Sequence, residues 1–247
     1  MTIAAHHARY YREIFALPGV LAEPFLMLGH QDTYGRMPPD MDFPDLPQLL
    51  AARGVSDVTT LDPFDPRADA RYDLNEPVPD YEAERYAVVL DIGCLEHVFD
   101  TRRCLENCLR MAQVGGVYVL HTTVAGYVGH GLHVFNPEAL TEALRLNGFE
   151  ILYEKYCARD GRPLGGPKDA RDALIWLVGK KTRHIDEFVV PQQGRWEREY
   201  AEGGAESTSA AEQPASVALK RRAKKYLRTV AGPAIRAAGY LERKLAD

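Results

Sequence analysis

Residues Tyr86–Thr123 read YAVVLDIGCLEHVFDTRRCLENCLRMAQVGGVYVLHTT. Ala87 to Leu90 is an apolar run of the length expected for a strand buried on both faces. A polar turn from Asp91 to Asp100 follows, carrying Glu96 and His97. Leu105, Cys108, Leu109 and Ala112 then recur at helical spacing, so Thr101–Gln113 reads as an amphipathic helix. Gly115-Gly116 reads as its end, and Val117–Thr122 as a second β-rich strand. Strand, helix and strand in this order form a crossover unit, which requires parallel pairing and a helix-covered sheet. Ligands of open α/β sheets bind beyond the carboxyl ends of the strands. That rule directs attention to Asp91–His97 and His121–Thr123.

The rest of the chain fits one α/β domain with an appendage. Its 247 residues suit that better than two full domains. No run of eighteen apolar residues occurs, and MTIAAHHARYYREIF lacks a signal-peptide core, so the cytoplasm is the expected location. The four cysteines, Cys94, Cys104, Cys108 and Cys157, show no CxxC spacing and read as buried free thiols. The net charge of −5 is unevenly spread. From Pro214 onward nine Lys or Arg face Glu242 and Asp247, a net of +7 that leaves −12 for everything before it. An acidic body with a basic tail implies two parts with different partners.

In chain order, residues 1–22 contain a helix with Tyr10, Ile14, Phe15 and Leu17 as core candidates, interrupted at Pro18-Gly19. Pro24–Leu28 is a short buried strand followed by Gly29-His30-Gln31-Asp32-Thr33-Tyr34-Gly35. Leu46–Arg53 is a helix closed by Gly54, Val58–Leu61 a strand ending at Asp62, and Ala70–Leu74 a short strand candidate. Asn136-Pro137 caps and starts a helix that Gly148 stops. Phe149–Tyr156 and Asp172–Gly179 are the last strands. Residues 182–216 read as an extended, low-complexity linker and 217–247 as a basic amphipathic helical tail, split at Gly232-Pro233.

Several segments together resemble class I S-adenosylmethionine-dependent methyltransferases, in particular the branch with an LEH signature. They are Leu95-Glu96-His97-Val98, Gly115–Thr122, GHGLHVFNPE at 129–138 and NGFEI at 147–151. The resemblance runs from about Pro24 to Lys181. It implies a three-layer, doubly wound, mostly parallel seven-stranded sheet of the Rossmann-like methyltransferase type over residues 1–181, with its last strand antiparallel between its neighbours. It also implies S-adenosylmethionine laid across the ends of the first, second and fourth strands. Gly29, His30 and Gln31 then fall in the cofactor loop, Asp62 at the ribose, Asp73 and Leu74 at the adenine, and Gly93 and Cys94 beside the methionine part. The chain departs from the pattern in the first loop: Met27 stands at the usual acidic position, and Gln31 and Thr33 replace two glycines.

Each candidate also has a plainer reading. Gly29–Thr33 is equally an ordinary turn after a strand, and Asp62 a solvated strand-terminal carboxylate. His97, His130 and His133 are the candidate catalytic imidazoles, because a histidine pKa lies near the working pH. Structural hydrogen bonding is the alternative for each. His121, His130 and His133 lie close in sequence, but an H-x-x-H in a loop without a fourth ligand is weak, and no metal is expected. The tail suits an anionic membrane surface or a protein partner better than nucleic acid, since Tyr226 and Tyr240 are its only aromatics. The resulting expectation is a methyltransferase acting on a small molecule or a sugar or glycan unit, as in polysaccharide biosynthesis. The alternative is a catalytically inactive methyltransferase-like binding or assembly protein, docked through its tail. A nucleotide-using dehydrogenase is disfavoured, because no G-x-G-x-x-G follows the first strand.

Overall fold

A computed structural model describes residues 2–192. Its elements are β1 (Thr2–Ala4), α1 (Ala8–Phe15), β2 (Phe25–Leu28), β3 (Asp32–Tyr34), α2 (Leu46–Ala52), β4 (Val58–Leu61), β5 (Tyr86–Ile92), α3 (Thr101–Met111), β6 (Ala112–Ala125), α4 (Pro137–Leu146), β7 (Phe149–Ala158), β8 (Pro163–Leu164) and β9 (Ala173–Lys181). The main sheet has the order β4-β2-β5-β6-β9-β7-β8. β4, β2, β5 and β6 pair in parallel, and β9 lies antiparallel between β6 and β7. The last long strand is therefore reversed, as the resemblance implies.

The strands alternate their faces, and each face is sealed by helices. Leu26, Leu28, Val89, Tyr118 and Leu120 pack with Leu105, Cys108 and Leu109 of α3 and Leu140 and Leu144 of α4. Phe25, Met27, Val88, Leu90 and Val119 pack on the opposite side with Tyr10, Ile14 and Phe15 of α1 and Leu46, Leu49 and Leu50 of α2. Three layers result. Met27, at the position where the resemblance calls for an acid, is a fully buried core residue.

Three local readings are corrected. Ala70–Leu74 forms no strand; Ala70 makes only an isolated parallel bridge to Leu61. The seventh strand is instead the two-residue β8, hairpinned onto β7 at the far edge. Gly115-Gly116 does not end α3, which stops at Met111 and passes straight into β6. Gly116 instead lets two backbones meet, since a Cβ there would lie 2.7 Å from the carbonyl oxygen of Ala87. The segment after Gly29 is more than a turn, because Asp32–Tyr34 pairs in parallel with Thr2–Ala4.

Beyond β9 the extended chain is bound to the body. Ile185 and Phe188 are buried, and Asn147 exchanges two hydrogen bonds with the backbone of Val189. The tail at 217–247 and most of the linker lie outside the described residues. Among the described residues no helix is long and apolar enough to cross a membrane.

Candidate functional site

At the carboxyl ends of β5 and β6 lies an open cavity of about 870 Å³. That volume suits a small molecule or part of a larger one. Ile92, Gly93 and His121 form its floor; the segment carrying Ala4, His6, His7 and Tyr11 covers it; and the loop Gly126–His130 forms one wall. Arg159, Arg171 and Asp172 stand at another side. The N-terminal cover is fixed by aromatic packing. Tyr10 stacks on Trp176 of β9 at 5.5 Å, and Tyr11 meets the same indole edge-on at 5.1 Å.

The turn after β5 is shaped by Asp91. Its Oδ1 accepts from the amides of Cys94 and Leu95, and its Oδ2 from the Tyr118 hydroxyl at 3.0 Å. Burial, and then the nearby Glu96, push the Asp91 carboxyl up to about 7 against those donors. Leu95–His97 forms one 3₁₀ turn. It directs Glu96 inward, where its Oε2 accepts from Thr122 Oγ1 at 2.8 Å, and leaves His97 exposed. Burial raises the Glu96 pKa.

The histidines divide into two kinds. His121 is stacked on Trp176 at 3.8 Å, with its Nδ1 2.9 Å from the carbonyl oxygen of Ile175. Burial drives its pKa down to about 3, and that of His7 down to about 4. Both are neutral structural imidazoles at neutral pH. His97 and His130 are exposed on the cavity wall with ring centroids 5.2 Å apart. Burial and then His130 lower the His97 pKa. His133 does not line the cavity; its Nε2 lies 3.1 Å from the carbonyl oxygen of Phe99. His121, His130 and His133 do not converge, whereas the donor atoms of Glu96, His97 and His130 all lie within 4.8 Å of one another.

The expected cofactor residues occupy the neighbouring strand ends. Gly29 has φ +72°, a left-handed conformation that suits glycine, and its amide donates to Leu61. Gln31 is fully buried, and its Nε2 donates to the carbonyl oxygens of Leu28 and Ile92 at 3.2 and 3.3 Å. Those two acceptors fix the amide orientation and leave Oε1 buried without a partner. His30 lies 3.5 Å from Asp45 and 3.7 Å from Asp32. Arg67 bridges Asp32 and Asp65 at 2.8 and 2.7 Å, joining the segments that follow β2 and β4. The bonds of Asp62 fall on Oδ1, which accepts from the amides of Phe64 and Asp65. Asp73 is exposed and accepts from Asn75, while Leu74 is buried in the core. Gly93 lines the cavity, and Cys94 packs against the core as a free thiol.

The structure thus brings Gly93, His97 and His130 to one cavity, ties Gln31 to its floor through Ile92, and leaves Asp73 and Leu74 apart. His6, His7, Tyr11, Arg159 and Arg171 were missed. They join the site only through the packing of α1 on Trp176 and the fold of the chain between β7 and β9, and no local spacing announces that.

No family model and no curated protein matches this chain. Solved structures do. An S-adenosylmethionine-dependent methyltransferase from Mesorhizobium loti is 17% identical, with 72% of this chain and 98% of that chain covered at a TM-score of 0.50. The N-methyltransferase NodS from Bradyrhizobium japonicum is 14% identical, with 72% and 97% covered at 0.45. The 1,6-didemethyltoxoflavin-N1-methyltransferase from Burkholderia thailandensis, bound to 1,6-didemethyltoxoflavin and S-adenosylhomocysteine, is 15% identical, with 72% and 84% covered at 0.41. At this identity the Mesorhizobium match establishes a shared fold.

Proposed function

We propose that this chain is an S-adenosylmethionine-dependent methyltransferase whose acceptor, a small molecule or a sugar or glycan unit, binds in the cavity above β5 and β6. The observation that carries this reading is the unpartnered Oε1 of Gln31, at the junction of the β2 and β5 carboxyl ends and beside the cavity floor at Ile92. A buried carbonyl without a donor costs about 1–3 kcal/mol, and a cofactor's ammonium group supplies the missing donor. Gln31 thereby does by side chain what a glycine loop does by backbone. Gly29 turns the chain beneath it, with His30 alongside. Asp62 has its Oδ2 to offer a ribose hydroxyl, and Gly93 and Cys94 flank the methionine part. Because Gln31 is fully buried, binding requires the segment from His30 onward to shift.

The bound cofactor supplies an electrophilic methyl group on a sulfonium, and the protein's task is mainly alignment. His97 and His130 line the cavity, and either imidazole is the candidate to take the acceptor's proton. His133, with its nitrogen turned to Phe99, serves better as a prop for the loop than as a base.

One observation favours a second reading, a cofactor-free binding protein. The Arg67–Asp32 ion pair ties together the two segments between which the cofactor would lie. Calorimetry of the full chain with S-adenosylmethionine and S-adenosylhomocysteine separates the two. The enzyme reading expects saturable binding, weakened about tenfold or more by Gln31→Leu or Asp62→Ala. No heat at millimolar cofactor would leave the binding-protein reading standing. Unchanged affinity in the variants would remove the residue assignments.

A further inference from the structure

The wall of the cavity carries a donor set that methyl transfer does not require. Glu96 presents a buried carboxylate, oriented through Oε2 by the Thr122 hydroxyl. His97 follows it in the same 3₁₀ turn, and His130 arrives from the loop after β6, more than thirty residues later. That arrival is built into the backbone. The amides of Leu132 and His133 both donate to the carbonyl oxygen of Glu96, at 2.8 and 3.1 Å. Gly131 permits the approach, because a Cβ there would lie 2.8 Å from that oxygen and 3.0 Å from Glu96 Cγ. The chain thus holds the His130 loop onto the residue that supplies the carboxylate.

We propose that Glu96, His97 and His130 bind one divalent transition-metal ion of the zinc class, with the remaining coordination position open to the cavity. Two imidazoles and one carboxylate are the ligands of open, catalytic zinc sites, whereas closed structural sites use four protein ligands. An ion about 2.1 Å from each donor holds tetrahedral ligands about 3.4 Å apart. The 4.8 Å spread is closed by small rotations of His97 and His130, both of which are exposed. The Thr122 hydroxyl on Glu96 is the kind of outer contact that fixes a liganding carboxylate. Ion binding stands independently of the proposed methyl transfer. If both hold, an acceptor hydroxyl placed on the ion would lose its proton more readily, and the imidazoles would act through the metal rather than as free bases; that consequence rests on the function proposed above.

The test uses the full chain, freed of metal by chelation and titrated with Co²⁺ alone, followed by displacement with Zn²⁺. The expected result is saturation at one ion per chain, with the visible bands of an open low-coordinate nitrogen–oxygen site. His97→Ala/His130→Ala should weaken binding by about tenfold or more while leaving the melting temperature of the metal-free chain nearly unchanged, since both side chains are exposed. Absence of saturable binding at millimolar metal would overturn the proposal, as would unchanged affinity in the double variant. A thiolate charge-transfer band would also overturn it, since it would move the ion to the cysteines at 94, 104 and 108.

Discussion

Asp91 has no exposed surface, yet it is the residue on which the turn to Glu96 and His97 hangs. A free aspartate loses its proton near 3.9, whereas Asp91 in the folded chain keeps it up to about 7. Between those values the native state holds one more proton than the unfolded chain, so this group makes stability fall as pH rises. His7 and His121 act with the opposite sign. Unfolded, they take up protons near 6.5, but folded they resist until about 4 and about 3, so stability falls as pH drops below 6.5. At pH 5 the two histidines outweigh the one aspartate by about one proton, a slope of about 1.4 kcal/mol per pH unit. Asp91→Asn keeps an acceptor for the Cys94 and Leu95 amides and removes the titration. It should raise the slope at pH 5 by about one proton and stabilise the chain at pH 8, by up to about 4 kcal/mol. Urea denaturation of both forms across pH 4–8 measures this, and parallel curves would show that Asp91 is ionised in the native state.

The elements were legible wherever local composition decides them. Phe25–Leu28 is an apolar run buried at every position, and Asn136 caps α4 by accepting from Glu138 at 3.0 Å. The end of α3 was not legible, because its cause is remote. The carbonyl oxygen of Ala112 is taken by the ammonium of Lys181 at 2.7 Å, a buried lysine that also reaches Glu84. A double glycine just beyond a helix ordinarily signals a cap, but this pair lies inside β6, where Gly116 crosses close to Ala87. Gly116→Ala should therefore destabilise the chain by about 2–3 kcal/mol, because the contact is with backbone and cannot rotate away. Chemical denaturation checks the value. A loss under about 0.5 kcal/mol would mean that the strands part there without cost.

At the scale of the molecule, the edge that carries the site could be read from strand order, but only part of its membership could. His97 and His130 are brought together by two hydrogen bonds to one carbonyl, and His7 reaches His121 only because α1 lies on Trp176. Net charge, by contrast, is fully legible: −12 up to residue 213 against +7 beyond it. That separation underlies the proposed role of the segment 217–247, docking to an anionic membrane or a protein partner. Each basic side chain near an anionic surface contributes about 1 kcal/mol, a gain that falls off within the roughly 10 Å screening length at 0.1 M salt. The acidic body is repelled by the same surface, so attachment should depend on the tail. Co-sedimentation with phosphatidylserine-containing vesicles should bring down the full chain at low salt and release it as salt rises, while a 1–213 truncation stays in the supernatant. Equal partition of the two forms would remove the membrane role and leave the partner role to be sought by cross-linking.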